Sequence, residues 1–112
     1  EPHMLESLKT YLVAMGYDTR TAENGEVGMQ MFREEPTELV ITDLLMPIKD
    51  GASVIADLNA DFPDTKIIVI TGGVRFDGVT LQEKLESLKV DSVLTKPFSL
   101  RDLLRHVKPL ID

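Results

Sequence analysis

The chain has 112 residues and a mass of 12.5 kDa, room for one compact domain and not for two with separate cores. Its make-up of 43% hydrophobic and 28% charged residues, with 7 Gly and 6 Pro, is that of a folded domain and excludes collagenous, low-complexity and disordered chains. With 19 Asp+Glu against 12 Lys+Arg the formal charge is −7, which argues against direct nucleic-acid binding, and the lack of Cys excludes disulfides and thiolate metal sites.

Met4, Leu5, Leu8, Leu12 and Met15 recur at three- and four-residue spacing before Gly16, which predicts a first amphipathic helix ended by a glycine. Tyr17 to Ala22 is rich in Thr and Tyr and runs into Asn24-Gly25, so a brief strand is expected there. Gly28, Met29, Met31 and Phe32 mark a second helix that Pro36 closes. Leu39-Val40-Ile41-Thr42, ending at Asp43, and Lys66 to Thr71, ending at Gly72-Gly73, read as strands buried on both faces of a parallel sheet. Between them Val54, Ile55 and Leu58 predict a third helix that stops before Pro63. Leu81, Leu85 and Leu88 predict a fourth, and Ser92 to Thr95 a last strand. Ser99 and Asp102 form a capping box ahead of a final helix whose apolar face is Leu100, Leu103, Leu104, Val107 and Ile111. Alternation of this kind specifies a doubly wound α/β domain, although such domains begin with a strand and this chain begins with a helix.

Ligands and reacting groups in open α/β sheets gather at the carboxyl ends of the strands. Asp43, Thr71 and Lys96 end three successive predicted strands. Singly, each has an ordinary explanation: a turn-forming Asp, a β-prone Thr and a solvated Lys before a Pro. Together they supply a nucleophilic oxygen, a hydrogen-bond donor and a cation, the parts of a phosphoryl site. His3 and His106 lack metal-ligand spacing, and His106 is expected on the solvated side of the last helix. The methionines at 4, 15, 29 and 31 fit helical core positions.

The stretches Asp43-Leu44-Leu45-Met46-Pro47-Ile48-Lys49-Asp50-Gly51, Ile68-Val69-Ile70-Thr71-Gly72-Gly73 and Leu94-Thr95-Lys96-Pro97-Phe98-Ser99 carry a resemblance. In order and spacing the chain resembles the receiver domain of bacterial two-component response regulators, of the chemotaxis-regulator kind. The resemblance implies a flavodoxin-like doubly wound parallel sheet, ordered 2-1-3-4-5 in the family. It implies a phosphoacceptor switch rather than an enzyme, which takes a phosphoryl group from a histidine kinase or phosphotransfer protein and changes its surface for an output domain or partner. Asp43 is then the phosphoacceptor, Thr71 a hydrogen-bond donor to a phosphoryl oxygen and Lys96 the cation paired with another. The Lys96-Pro97 bond is expected to be cis. Mg²⁺ is expected as cofactor, since a hard dication screens carboxylate from phosphate, with Asp43 and the backbone carbonyl of Leu45 among its ligands.

The sequence holds no counterpart of the acidic pair that ends the family's first strand; Glu1-Pro2 matches the residues just after it, which leaves Glu1 as a candidate metal ligand and makes Mg²⁺ binding weak or absent. Residues 1–112 are accordingly read as one receiver domain lacking its first strand at the N-terminus. Either the native protein continues upstream, or a dimer or strand exchange with a second copy fills the gap. Val93 stands where the family has an aromatic switch residue, so surface switching is expected to rest on Thr71 and Gly72 beyond it. Leu45 and Gly73 offer no polar side chain to orient an attacking water, which implies a long-lived phosphoryl group. The segment Val74 to Val79 is longer than usual for the family. The main alternative is a phosphate-independent interaction module of receiver fold; an aspartate-nucleophile phosphohydrolase is disfavoured by Leu45, where it would carry a second acid. With no apolar run near the roughly 18 residues of a membrane span and no leader pattern, a cytoplasmic domain without membrane or nucleic-acid contact is expected.

Overall fold

The computed structural model describes residues 2–43, 51–72 and 88–111. Helix α1, Pro2–Ala14, starts two residues before the first apolar residue, with Pro2 where a missing N–H costs a helix nothing. It stops as expected at Gly16, whose φ of 98° lies in the left-handed region. The Tyr17 N–H donates to the Leu12 carbonyl at 3.0 Å and the Gly16 N–H to the Val13 carbonyl at 3.0 Å, the paired bonds of a Schellman cap. A side chain at Gly16 meets no other atom but forces this φ on an L-residue. Gly16→Ala is therefore expected to lower stability by about 1–2 kcal/mol, read as a shift in urea midpoint.

Helix α2, Gly25–Glu34, is capped by Asn24, whose Oδ1 accepts from the Val27 N–H at 2.9 Å. Strand β1, Leu39–Asp43, helix α3, Gly51–Asp61, strand β2, Lys66–Thr71, and strand β3, Ser92–Thr95, follow. The last helix, α4, spans Leu100–Ile111 behind the expected capping box: the Asp102 N–H donates to Ser99 Oγ at 3.0 Å, and the Ser99 N–H to Asp102 Oδ2 at 3.3 Å. The predicted fourth helix and the segment Val74 to Val79 lie outside the described residues, apart from Leu88, which is half-buried.

The strands are parallel and ordered β1-β2-β3, matching the 3-4-5 half of the expected sheet. The register pairs Asp43 with Ile70 and Thr71 with Thr95. Side chains of β2 alternate between two cores. Ile67 and Val69 pack with Phe32 of α2 and Val54, Ile55 and Leu58 of α3, and Phe32 meets Phe62 edge-to-face at 4.8 Å. On the other face Ile68 and Ile70 pack with Leu8 and Leu12 of α1 and with Leu103 and Val107 of α4. Far from the strand ends that carry the candidate site, Asn59 of α3 clasps the chain entering β3: its Nδ2 donates to the Lys89 carbonyl at 3.0 Å, and its Oδ1 accepts from the Lys89 N–H at 2.8 Å.

Three expectations are corrected. Tyr17 to Ala22 forms no strand, because β-prone residues become a strand only beside a ladder partner, and no described strand lies next to them. Met15 is 47% exposed rather than in the core, since α1 ends at Ala14 and the cap turns Met15 outward. His106 is half-buried and its Nδ1 shares a hydrogen bond with Ser92 Oγ, because α4 lies across the start of β3.

Candidate functional site

The register assembles the candidate site. Asp43 ends β1 opposite Ile70, the residue before Thr71; Thr71 ends β2 opposite Thr95, the residue before Lys96. The three predicted residues thus stand at the carboxyl ends of three adjacent strands. The Lys96 N–H donates to the Thr71 carbonyl at 2.7 Å, extending the β2–β3 ladder one residue and fixing the lysine backbone. The Lys96-Pro97 peptide bond is cis.

Lys96 Nζ donates to Asp43 Oδ2 at 2.7 Å, the short distance of a charge-assisted hydrogen bond. The Asp43 side chain is 19% exposed and that of Lys96 39%, so the pair is held against the sheet yet open to an incoming group. Thr71 is buried at the end of β2, and Gly72 after it is exposed. Val93 is 37% exposed on β3, one residue before buried Leu94.

Sequence reasoning passed over Thr42. It is buried, and its Oγ1 donates to the Asp43 carbonyl at 3.3 Å, which steadies the backbone that presents the carboxylate. A β-branched residue inside a strand reads as a strand former, and nothing in the pattern marks its hydroxyl.

Leu45 and Glu1 lie outside the described residues. No group of three or more His, Asp or Glu side chains able to hold a metal occurs among the described residues. A hard divalent cation takes about six oxygens, and the one described carboxylate at the site is already paired with Lys96. The described residues by themselves do not make a divalent-cation centre.

A parallel sheet covered on both faces, with a carboxylate–lysine pair at its strand ends, defines a doubly wound domain of the receiver class. Its fold is similar to that of the response regulator protein TrrA from Thermotoga maritima, solved in complex with Mg(2+)-BeF: TM-score 0.83, 32% identity, covering 99% of this chain and 92% of that one. It is also similar to the signal receiver domain of a histidine kinase from Syntrophus aciditrophicus, with TM-score 0.86, 29% identity and coverage of 99% and 83%. The family model for the response regulator receiver domain matches residues 1–108, and this chain belongs to that family. The receiver protein CpdR of Brucella abortus is 34% identical over 86% of this chain and 78% of its own length. Response regulator RR06 of Streptococcus pneumoniae is 32% identical over 99% of this chain but 49% of its own length, so the chain spans about half of that longer relative. The protein is thus a receiver domain of two-component signalling, a switch module. Among the described residues no helix is long and apolar enough to cross a membrane.

Proposed function

We propose that the domain, residues 1–112, is a phosphoacceptor module in which Asp43 takes a phosphoryl group from a histidine kinase or phosphotransfer protein. The observation that carries this reading is the 2.7 Å contact between Lys96 Nζ and Asp43 Oδ2, made across the end of β2 from the two strands that flank it. A carboxylate oxygen of Asp43 attacks the phosphorus of a phosphohistidine; a P–O bond forms, the P–N bond breaks, and its electron pair stays on the departing imidazole nitrogen. Lys96 is already where charge builds on the transferred group, and a cation fixed in advance costs no reorganisation at the moment of transfer. The Thr71 hydroxyl, at the end of β2, supplies a hydrogen bond to a phosphoryl oxygen.

Once Asp43 carries the phosphoryl group, its ion pair with Lys96 is exchanged for a lysine–phosphoryl pair. The Lys96 backbone is bonded to Thr71, so the change reaches exposed Gly72 and the β3 surface at Val93. That surface is read by an output domain or partner protein in the cytoplasm, with no direct contact to nucleic acid or membrane. Transfer from a radiolabelled, phosphorylated histidine kinase, with the label mapped to Asp43, tests the reading. If the domain binds its partner equally well with and without kinase and no label reaches Asp43, the phosphate-independent interaction module replaces it.

Mg²⁺ belongs to this reading as a cofactor, with the Asp43 carboxylate and the Leu45 carbonyl as protein ligands and Glu1 as a further candidate. Titration with Mg²⁺ followed by the amide resonances of Asp43 and Lys96 is expected to show saturable shifts at these two residues. Resonances that stay in place at saturating Mg²⁺ would contradict it.

A further inference from the structure

The chain enters β3 one residue out of step with the ladder that follows. The Asp91 N–H donates to the Ile67 carbonyl at 2.9 Å, and the Lys96 N–H to the Thr71 carbonyl at 2.7 Å. The two acceptors are four residues apart on β2 and the two donors five apart along the chain of β3, so one extra residue is taken up between them, the mark of a β-bulge. From Ser92 on the pairing is regular, with Leu94 beside Ile70.

Two side chains hold this step. Continued back at the spacing of the Asp91 bond, the ladder would give the Ile67 N–H the carbonyl of Lys89. That carbonyl accepts from Asn59 Nδ2 instead, and the Ile67 N–H donates to Asp91 Oδ2 at 2.8 Å. Asp91 thus serves both main-chain groups of Ile67. Burial alone chooses poorly between the stepped and the straight ladder. β3 has four residues and one buried side chain, Leu94, and exposed Val93 is the apolar residue that takes its place after a one-residue shift. That shift turns Lys96 to the other face of the sheet, away from Asp43, breaks the bond between Ser92 and His106, and hands the Thr71 carbonyl to the Thr95 N–H. A shift in the opposite sense is closed, because it needs an N–H from Pro97.

We propose that Asn59 and Asp91 are positioning residues for Lys96: by holding the bulge at the entry to β3 they set the register that aims the lysine at Asp43. The consequence for phosphoryl transfer rests on the phosphoacceptor role of Asp43; the register does not. The test is Asn59→Ala/Asp91→Ala, followed by amide exchange and by phosphoryl uptake. Exchange at Lys96 is expected to accelerate at least about tenfold and that at Thr95 to slow, while Val69 in β2 keeps its protection; a general loosening accelerates both. Should Val69 lose its protection, Asn59→Ala alone carries the same test. Asp91→Asn retains an acceptor for the Ile67 N–H and is expected to behave as the parent. Uptake from a phosphohistidine donor is expected to slow at least about tenfold in the double variant, and this effect to vanish in a Lys96→Ala background, since the two side chains act through the lysine. Unchanged exchange at Lys96 and Thr95, or a loss of uptake that persists without the lysine, would overturn the proposal. Absence of label on Asp43 of the parent removes the phosphoacceptor reading instead, and the exchange result then decides the register by itself.

Discussion

Asp43→Asn is expected to reduce phosphoryl uptake to background while leaving the domain folded. The amide lacks the negative oxygen that attacks phosphorus but still accepts a hydrogen bond from Lys96 Nζ, so the local geometry at 2.7 Å has a near-isosteric substitute. Lys96→Ala has a different signature: the nucleophile remains and the fixed cation is lost, so uptake is slowed by roughly 10²–10³-fold rather than abolished. The two variants separate the attacking group from the group that stabilises charge. The measurement is transfer from a radiolabelled phosphohistidine donor, with hydroxylamine sensitivity of the label as the mark of an acyl phosphate. Undiminished labelling of the asparagine variant would remove Asp43 from the mechanism. The unfolding free energy of Asp43→Asn, from urea denaturation, is expected to stay within about 1 kcal/mol of the parent, because the ion pair is part-exposed and screened by solvent.

The largest loss of stability is expected from Leu103→Ala. Leu103 has no exposed surface and sits among Leu8, Ile68, Leu94 and Val107, where α4 closes over the sheet. Truncation removes transfer free energy and leaves a cavity in close-packed surroundings, a cost of about 2–5 kcal/mol. Against the ~5–15 kcal/mol of a typical domain, that is a large share of the total. Urea unfolding at an unchanged m-value is expected to report it. Val93→Ala, at a position 37% exposed, is the matched control and should change stability by no more than ~0.5 kcal/mol. Comparable losses in the two variants would mean that the packing described for α4 is not what holds the sheet.

Features with a local cause were legible in the sequence. The capping box of Ser99 and Asp102 and the glycine end of α1 each depend on a few consecutive residues, and both are formed. Both strands were readable because a run apolar on both sides, such as Lys66 to Thr71, has few other places to go, but only β2 is buried throughout from Ile67 on, and β1 buries Thr42 alone. The juxtaposition of Asp43 and Lys96 was legible as well, since residues at the carboxyl ends of parallel strands share one end of the sheet, and the long Lys96 side chain reaches past β2 to Asp43. What failed depended on distant neighbours. Tyr17 to Ala22 has strand-like residues, yet a strand is a property of a pair. The bond between His106 and Ser92 joins residues on different elements, and Thr42 differs from any other strand threonine only by what its hydroxyl reaches.

The shared position of β2 between the two cores has a consequence for how this domain tolerates change. Every residue from Ile67 to Thr71 is buried, whereas β1 keeps one buried position and β3 one. Sequence drift is therefore confined by location in the sheet: a polar replacement in β2 disturbs whichever core it faces, while β3 can vary at Val93 and Thr95 without entering either. The surface free to diversify between relatives is the β3 side, next to Lys96. Substitutions can thus accumulate there while the central strand, and the threonine at its tip, are held fixed by packing.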